Sequence, residues 1–242
     1  MFSSRNFLFL PALATGFLLA AGTGLTATAR AADHDSIPSA NSDAAKSAEH
    51  RVDAATRVVD QMREDPHLVR LLDRAKGIFI VAHFGKGAAI IGGEGGGGVL
   101  LERHASGWGD PAFYNIGGAS IGAQLGGKGG SVVMLLMTQR AVRKFANSNA
   151  TWSLNANAGL TVVTYSAKAQ AETGRGDVIL WSNTNGLFGG ASVSVTDISP
   201  DRAMDYAYYQ RRESTEHILR TAAATPQAAP LREALNSQAV QR

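Results

Sequence analysis

Five cations occupy positions from which they could bind an anion. Arg140, Arg143 and Lys144 are spaced at i, i+3 and i+4, so they share one face of a helix. Lys86 and Lys128 lie in glycine-rich turns, where backbone N–H groups can also face an anion. Beside an anionic bilayer each such cation contributes on the order of 1 kcal/mol, which predicts weak membrane attachment. The alternative is a solvated helix face and two turn lysines. The residues predicted to contact lipid are these five cations and, seated at the interface, Trp108 and Phe113.

Two glycine motifs match nucleotide-binding signatures without the context that those signatures need. Residues 93–98 fit G-x-G-x-x-G, which requires a helix directly afterwards to hold the pyrophosphate. The next residues, 99–103, read VLLER, which is typical of a strand. Residues 122–128 come close to a P-loop, but Gly129 replaces the hydroxyl residue that would hold magnesium. Neither stretch predicts a cofactor site.

A serine-hydrolase hypothesis depends on Ser120. Residues 118–122 read GASIG, the pattern of a nucleophile elbow, and Asp177 and His217 follow in hydrolase order. The elbow needs a strand, a sharp turn and a helix, whereas Ser120 lies within a strand-like stretch, which favours a structural serine. The six histidines show no HExxH-type spacing, and no cysteine is available to complete a zinc site. The sequence therefore predicts no enzyme, no metal site and no cofactor.

The segment 89–103, AIIGGEGGGGVLLER, has six glycines in seven consecutive positions. A flexible linker would carry serine and other polar residues, but aliphatic residues stand on both sides here. We therefore predict strand and turn positions where the sheet bends sharply or another backbone comes close. Glu94 is a single carboxylate among the glycines, which is too little for acid–base catalysis or a metal site.

Helices are predicted ahead of the strands, at residues 44–75. An apolar stripe repeats at spacings of 4, 3, 4 and 3 and consists of Ala48, Val52, Ala55, Val59 and Met62. Its small residues and the mixed charges around it suit packing on protein better than insertion into a membrane. Asp65-Pro66 is predicted to be the N-cap and first residue of a second, shorter helix.

From Gly77 the pattern changes to short β-branched or aromatic runs separated by Gly, Asn and Asp, which predict strands. One helix interrupts them, with Thr138 as its N-cap, and a last helix is predicted to open at Ser199-Pro200. Strands and helices do not alternate, so a doubly wound nucleotide-binding fold is not expected. The predicted fold class is α+β: N-terminal helices followed by a strongly bent antiparallel sheet or barrel-like β domain, with one inserted and one C-terminal helix.

Residues 1–31 are predicted to be a signal peptide. Arg5 gives the positive start, residues 7–25 the apolar core, and Ala29 and Ala31 the small residues before a cleavage site. The alternative is an uncleaved anchor, which the interruptions at Pro11, Gly16, Gly22 and Gly24 disfavour. We expect export to a bacterial periplasm, with the protein either free there or peripheral on a membrane.

The remaining chain is close to electrically neutral. Removal of residues 1–31 takes away Arg5 and Arg30 and no acid, which leaves 21 of the 23 basic residues against 20 acidic ones. The basic balance of the full chain is therefore not a sign of nucleic-acid binding. A polar linker is expected at residues 32–43 and a disordered tail, rich in Ala, Pro and Gln, at 222–242.

The order of several short motifs resembles the SYLF domain family. The early motifs are Ala75-Lys76-Gly77, Phe84-Gly85-Lys86-Gly87 and the run GGEGGGGVLL. The later ones are WGDPAF at 108–113, GASIGAQLG at 118–126, VVMLLM at 132–137, GLFGGAS at 186–192 and Tyr208-Tyr209. Each motif is only glycine plus hydrophobic residues, but their succession is specific. The resemblance covers residues 70–212.

The resemblance implies a lipid-binding module. Eukaryotic members of the family bind phosphoinositides, yeast members bind actin, and bacterial members are exported lipid-binding proteins. This chain departs from the family at Ser131, where Asp is common, and over residues 155–176, which are divergent. For an exported bacterial protein the resemblance implies the fold and affinity for anionic phospholipid, and actin is not an expected partner.

Two functional hypotheses follow. The first is a non-enzymatic, exported module that binds anionic phospholipid or a membrane surface. The second is an envelope structural or protein-interaction protein with incidental lipid affinity, which the apolar stripe at residues 48–62 motivates. Neither hypothesis includes nucleic acid.

Overall fold

Helices lie on both faces of one open sheet. The computed structural model describes residues 36–86, 94–117, 130–147, 151–154, 160–165, 176–183 and 195–236. The α-helices are α1 Ser36–Arg63, α2 Pro66–Arg74, α3 Gln139–Ala146, α4 Arg202–Tyr209, α5 Thr215–Arg220 and α6 Ala229–Asn236, with a short 3-10 helix at Pro226–Ala228. The strands are β1 Gly77–Lys86, β2 Glu94–His104, β3 Gly107–Trp108, β4 Ala112–Gly117, β5 Gly130–Leu136, β6 Trp152–Leu154, β7 Val162–Thr164, β8 Val178–Ser182 and β9 Val195–Pro200.

The strands form one nine-stranded sheet in the order β6-β9-β4-β2-β1-β5-β8-β7, with β3 paired to β2. The pairings are antiparallel except that of β7 with β8, which is parallel. Within the described ranges the edge strands β6 and β7 do not pair with each other, so the sheet is open and not a barrel. The predicted α+β class is confirmed.

Each face of the sheet carries its own hydrophobic core. Helices α1, α2 and α6 cover one face, where Ile78 and Val99 are fully buried. Helices α3 and α5 cover the other face, where Phe79 and Leu100 are fully buried. This division follows from the strand period of two, which sends neighbouring residues of β1 and β2 to opposite faces. Both cores lie within the compact unit of residues 35–242.

The apolar stripe of α1 is buried inside the molecule. None of its five residues is more than 2% exposed, and they belong to the core that α1 shares with the sheet. The predicted packing on protein is thus packing on the chain's own sheet. Because the stripe is covered, a partner protein cannot bind to it. The stripe therefore gives no support to the hypothesis of an envelope protein-interaction function.

Strand β1 contains a bulge at Ala82 and His83. Four residues of β1, 81–84, lie opposite three of β2, and residues 82 and 83 lie opposite the single residue Ser131 of β5. The Ser131 hydroxyl donates to the carbonyl of Ala82 at 3.0 Å, so this side chain supports the bulge. A bulge bends its strand and increases the local twist.

The glycines of β2 lie against this bulged strand. A β-carbon added at Gly96 would lie 2.6 Å from the carbonyl oxygen of His83, and one at Gly98 would lie 2.6 Å from that of Ile80. No real β-carbon tolerates such distances, so both positions require glycine. The predicted close approach of another backbone is confirmed at Gly96 and Gly98.

Gly97 points to the opposite face, towards α1. The guanidinium of Arg51 occupies the place where a side chain at Gly97 would begin. Arg51 also forms an ion pair with Asp201 at 3.2 Å, and its Cζ lies 5.9 Å from the ring centroid of Phe113. The glycine therefore makes room for a cation that links α1 to the residue capping α4.

Two helix starts are confirmed. The side chain of Asp65 accepts from the backbone N–H of His67, with Pro66 as the first residue of α2. The side chain of Thr138 accepts from the N–H of Ala141 at the start of α3. Both caps satisfy N–H groups that have no partner inside the helix.

Three predicted boundaries are wrong. Helix α1 begins at Ser36, inside the predicted polar linker. Ser199 and Pro200 end β9, and α4 begins at Arg202 with Asp201 as its N-cap, because Ser199 pairs with Asn115 of β4. The C-terminal region contains α4, α5 and α6 instead of one helix, and α6 lies within the segment predicted to be disordered.

Residues 1–31 lie outside the described ranges, so the signal peptide stays a prediction. Within those ranges no helix is both long and apolar enough to cross a bilayer.

Candidate binding surface

Helix α3 separates apolar from basic side chains. Its apolar side packs on the sheet, with Ala141 and Phe145 fully buried. Its outer side carries the predicted cations Arg140, Arg143 and Lys144, all exposed. The helix is therefore anchored by its apolar side and presents three cations outward, as their spacing predicts.

Asp177 holds the first of these cations. The Asp177 carboxylate accepts from the Thr138 hydroxyl at 2.8 Å, from the backbone N–H of Thr161 at 2.9 Å, and from the Arg140 guanidinium. Burial alone would raise the pKa of Asp177, but the hydrogen bonds from Thr161, Arg140 and Thr138 together lower it. Asp177 is thus a structural carboxylate that ties α3 to β8, and Arg140 is partly committed to it.

Arg220 of α5 joins the cations of α3. Its guanidinium donates to the Asn147 side chain at 3.2 Å and pairs with Glu216 at 2.7 Å. Asn147 is the C-cap of α3, and its N–H donates to the carbonyl of Arg143, one turn earlier. Arg220 was not predicted, because only the packing of α5 beside α3 brings it here. We call Arg140, Arg143, Lys144 and Arg220 the basic face.

The acids near the basic face lie deeper than its cations. The Asp177 side chain is 9% exposed and that of Glu216 is 35% exposed, whereas those of Arg140 and Arg220 are 60% and 59% exposed. A surface that approaches closely therefore meets positive charge first. At longer range the acids cancel much of the field, and salt screens the remainder.

The two predicted turn lysines are not part of the basic face. Lys86 ends β1, whereas α3 follows the end of β5 that lies beside Gly77 at the start of β1. The ten residues of β1 place these two ends roughly 30 Å apart. Lys128 lies outside the described residues, and any role of the two lysines in lipid contact stays a prediction.

The two predicted interface aromatics are interior residues. Trp108 is 4% exposed and Phe113 is fully buried, so neither lies at the surface as predicted. Phe113 lies in β4, a strand inside the sheet with helices on both faces, and its ring packs 5.2 Å from that of Tyr208. Trp108 lies beneath Arg103, whose Cζ is 4.5 Å from its ring centroid. Their part in the predicted lipid contact is corrected accordingly.

The WGDPAF motif anchors the C-terminal helix. Asp110 is 1% exposed, pairs with Arg232 of α6 and accepts from the N–H of Thr225 at 3.0 Å. Burial raises the pKa of Asp110, against the opposing effects of Thr225 and Arg232. The Tyr209 hydroxyl donates to the carbonyl of Pro111 at 2.6 Å. The motif is therefore structural.

The hydrolase hypothesis receives no support from the two members that are described. Both oxygens of Asp177 accept from Thr138, Arg140 and Thr161, and the ring of exposed His217 contacts Thr221 at 3.4 Å. Ser120 itself lies outside the described residues. Among the described residues, no three His, Asp or Glu side chains cluster in a way that could hold a metal ion.

Comparison with known proteins identifies the family. A family model described as "Ysc84: Las17-binding protein actin regulator" matches residues 117–238. Protein YSC84 of Saccharomyces cerevisiae is 31% identical over 176 residues, which cover 70% of this chain. LAS seventeen-binding protein 3 of the same yeast is also 31% identical over 70% of this chain, and an SH3 domain-containing protein of Schizosaccharomyces pombe is 28% identical over 69%.

The chain belongs to the Ysc84 family, and the resemblance to the SYLF domain is confirmed. The matched segments make up 37%, 38% and 40% of the three relatives, so the chain spans about two fifths of their length. The family match runs past residue 212, to residue 238, and so includes α6.

Proposed function

We propose that the chain is an exported, non-enzymatic module that attaches to anionic phospholipid surfaces through the basic face. The observation that carries this proposal is the arrangement of α3, which packs its apolar side on the sheet and turns Arg140, Arg143 and Lys144 outward. Arg220 extends the same surface from a second helix. Export is supported by the pattern of residues 1–31, and N-terminal sequencing of the secreted protein checks it.

The attachment is expected to be weak and sensitive to salt. Near an anionic bilayer each cation contributes on the order of 1 kcal/mol. Arg140 and Arg220 are shared with Asp177 and Glu216, which reduces the contribution of these two cations. Screening at high ionic strength removes most of this attraction.

Arg143 and Lys144 could instead serve only the stability of α3, because cations in the last turn interact favourably with the helix dipole. Vesicle flotation separates the two roles. We expect R143Q/K144Q to weaken binding to vesicles of phosphatidylcholine and phosphatidylserine roughly thirtyfold, the loss of two contributions of about 1 kcal/mol each. Wild-type binding should fall at high salt and be lost on phosphatidylcholine alone.

The matched control is R57Q/R74Q, which removes the same charge from exposed positions on α1 and α2, across the sheet from α3. This control should bind almost as wild type. Equal weakening in the two double variants would show that only net charge matters, and the assignment of the basic face would then be rejected.

A second candidate function is protein binding. The family description and one relative carry names that denote Las17 binding, and for this chain that remains a proposal. Recovery of one stoichiometric partner by the purified chain, unchanged by added vesicles and by R143Q/K144Q, would favour it over membrane attachment.

A further inference from the structure

Tyr206 differs from the other large hydrophobic side chains of the described ranges because it alone is exposed, at 42%. Its neighbours in α4, Asp205, Ala207 and Tyr208, are buried, so α4 is anchored by its other side. Arg202 precedes Tyr206 by one helical turn and is exposed on the same side. The outward face of α4 therefore combines an aromatic ring with a cation.

A second cation lies over the ring. The Cζ atom of Arg212 is 5.7 Å from the ring centroid of Tyr206, within the range of a cation–π interaction. Next to it, Arg211 lies 5.6 Å from the ring centroid of Tyr209 and pairs with Glu213 at 2.9 Å. Glu213, the acid that follows Arg212 in the chain, is thus engaged by Arg211. We call Arg202, Tyr206 and Arg212 the α4 patch.

We propose that the α4 patch is a second contact with the anionic bilayer, in which Tyr206 inserts to the level of the head groups. This inference rests on the proposed function and adds to it an aromatic contact that does not depend on charge. Tyrosine and arginine both carry a polar end on an apolar body, which suits them to the membrane–water interface. Two arginines beside the ring complement an anionic surface.

The position of α5 links the two contacts. Helix α5 begins three residues after Arg212 and ends at Arg220 of the basic face. Its six residues rise about 9 Å. The two patches are therefore joined by one short helix.

The test is flotation with phosphatidylcholine–phosphatidylserine vesicles at high salt, where the contribution of the cations is screened and that of an inserted ring is not. Removal of the ring in Y206S should weaken the residual binding roughly five- to tenfold, as expected if about 50 Å² of ring surface is buried. Y206W, which keeps an amphipathic ring, should bind at least as well as wild type. Circular dichroism of each variant confirms folding.

The outcomes separate this inference from the proposed function. If R143Q/K144Q weakens binding at low salt while Y206S and Y206W behave as wild type, the basic face stands and the α4 patch is rejected as a membrane contact. If Y206S weakens binding and R143Q/K144Q does not, the α4 patch stands and the basic face is rejected. If wild type binds no vesicle, both are rejected.

Discussion

Gly97 and Gly98 are neighbours in β2, but different atoms occupy the places of their missing side chains. At Gly98 the space is closed by the backbone carbonyl of Ile80 at 2.6 Å and by two core side chains. At Gly97 it is closed by the guanidinium of Arg51, the far end of a flexible side chain. A backbone in a paired strand cannot move aside, whereas Arg51 can.

The same substitution should therefore have different effects at the two positions. We expect Gly98→Ala to lower the free energy of unfolding by about 2 kcal/mol or more, because it overpacks the interface between β1 and β2. Gly97→Ala should cost less, about 1 kcal/mol, since the Arg51 side chain can move aside, although its partly buried ion pair with Asp201 is then weakened. Urea unfolding measures both. Equal losses would contradict the distinction between rigid and flexible neighbours.

Asp205 is a carboxylate buried at 2% exposure between α4 and the sheet. It accepts from the N–H of Phe113 at 2.8 Å and from the Thr215 hydroxyl at 2.7 Å. Burial raises the pKa of Asp205 to about 6, although these two hydrogen bonds act in the opposite direction. The folded protein therefore binds this proton more tightly than the unfolded chain does.

This raised pKa predicts a loss of stability as the pH increases. The contribution of protonated Asp205 is fully present below about pH 4 and disappears as the pH rises through about 6, a change on the order of 2–3 kcal/mol. Asp205→Asn keeps an acceptor for Phe113 and offers a donor to Thr215 without titrating. Urea unfolding at pH 4.5 and pH 7 should show a smaller decrease for the variant. An identical pH dependence in both proteins would show that Asp205 is already ionised at the lower pH.

At the scale of the elements, α6 is held by a buried ion pair as well as by apolar contacts. Leu231 and Leu235 pack into the core beside α1, and Arg232 between them reaches Asp110. Arg232 also donates to the carbonyl of Thr225 at 2.8 Å. The Arg232 side chain is only 12% exposed. If one partner is removed, water therefore compensates little for the lost ion pair.

We expect Arg232→Gln to lower the free energy of unfolding by about 3 kcal/mol, because it leaves the carboxylate of Asp110 buried and unpaired. The double variant D110N/R232Q should recover part of that loss, since no charge is then left behind. As a matched control, Arg220→Gln breaks an exposed pair and should cost less than about 1 kcal/mol. Denaturant unfolding of wild type, D110N, R232Q and D110N/R232Q gives the coupling energy of the pair. Equal losses in R232Q and R220Q would contradict the view that burial makes the Arg232–Asp110 pair the stronger of the two.

At the scale of the whole molecule, the features readable from the sequence are the local ones. Thr138 and Asp65 were recognised as caps because a cap depends on residues within one turn. The α1 stripe was recognised because burial of one helix face sets its period. The glycine run was recognised as part of a strand because its aliphatic neighbours exclude a linker.

Features that depend on distant parts of the chain were missed. Phe113 was placed at the surface because the helices on both sides of β4 cannot be seen locally. The Ala and Pro content of the tail predicts disorder, whereas Leu231, Ala234 and Leu235 have the helical spacing that indicates α6. The pairing of Arg232 with Asp110 joins residues 122 positions apart.

The basic face was predicted only in part, for the same reason. Arg140, Arg143 and Lys144 share one helix, so their spacing is sufficient to group them. Arg220 reaches the same surface only because α5 packs beside α3. The glycine-rich surroundings of Lys86 predict a turn but say nothing about which end of the sheet this residue occupies.

The bulge at Ala82 and His83 also fixes the alignment of three strands together. It interrupts the pairing of β1 with β2 and with β5 at the same place, and the Ser131 hydroxyl fastens it from the β5 side. A shift of β1 by one residue would reverse the faces of Ile78 and Phe79 and misplace the bulge against both neighbours. Neither neighbour could correct that error alone. The bulge thus selects one register for β2, β1 and β5 together, and a register that is correct for only one of the two pairings is disfavoured.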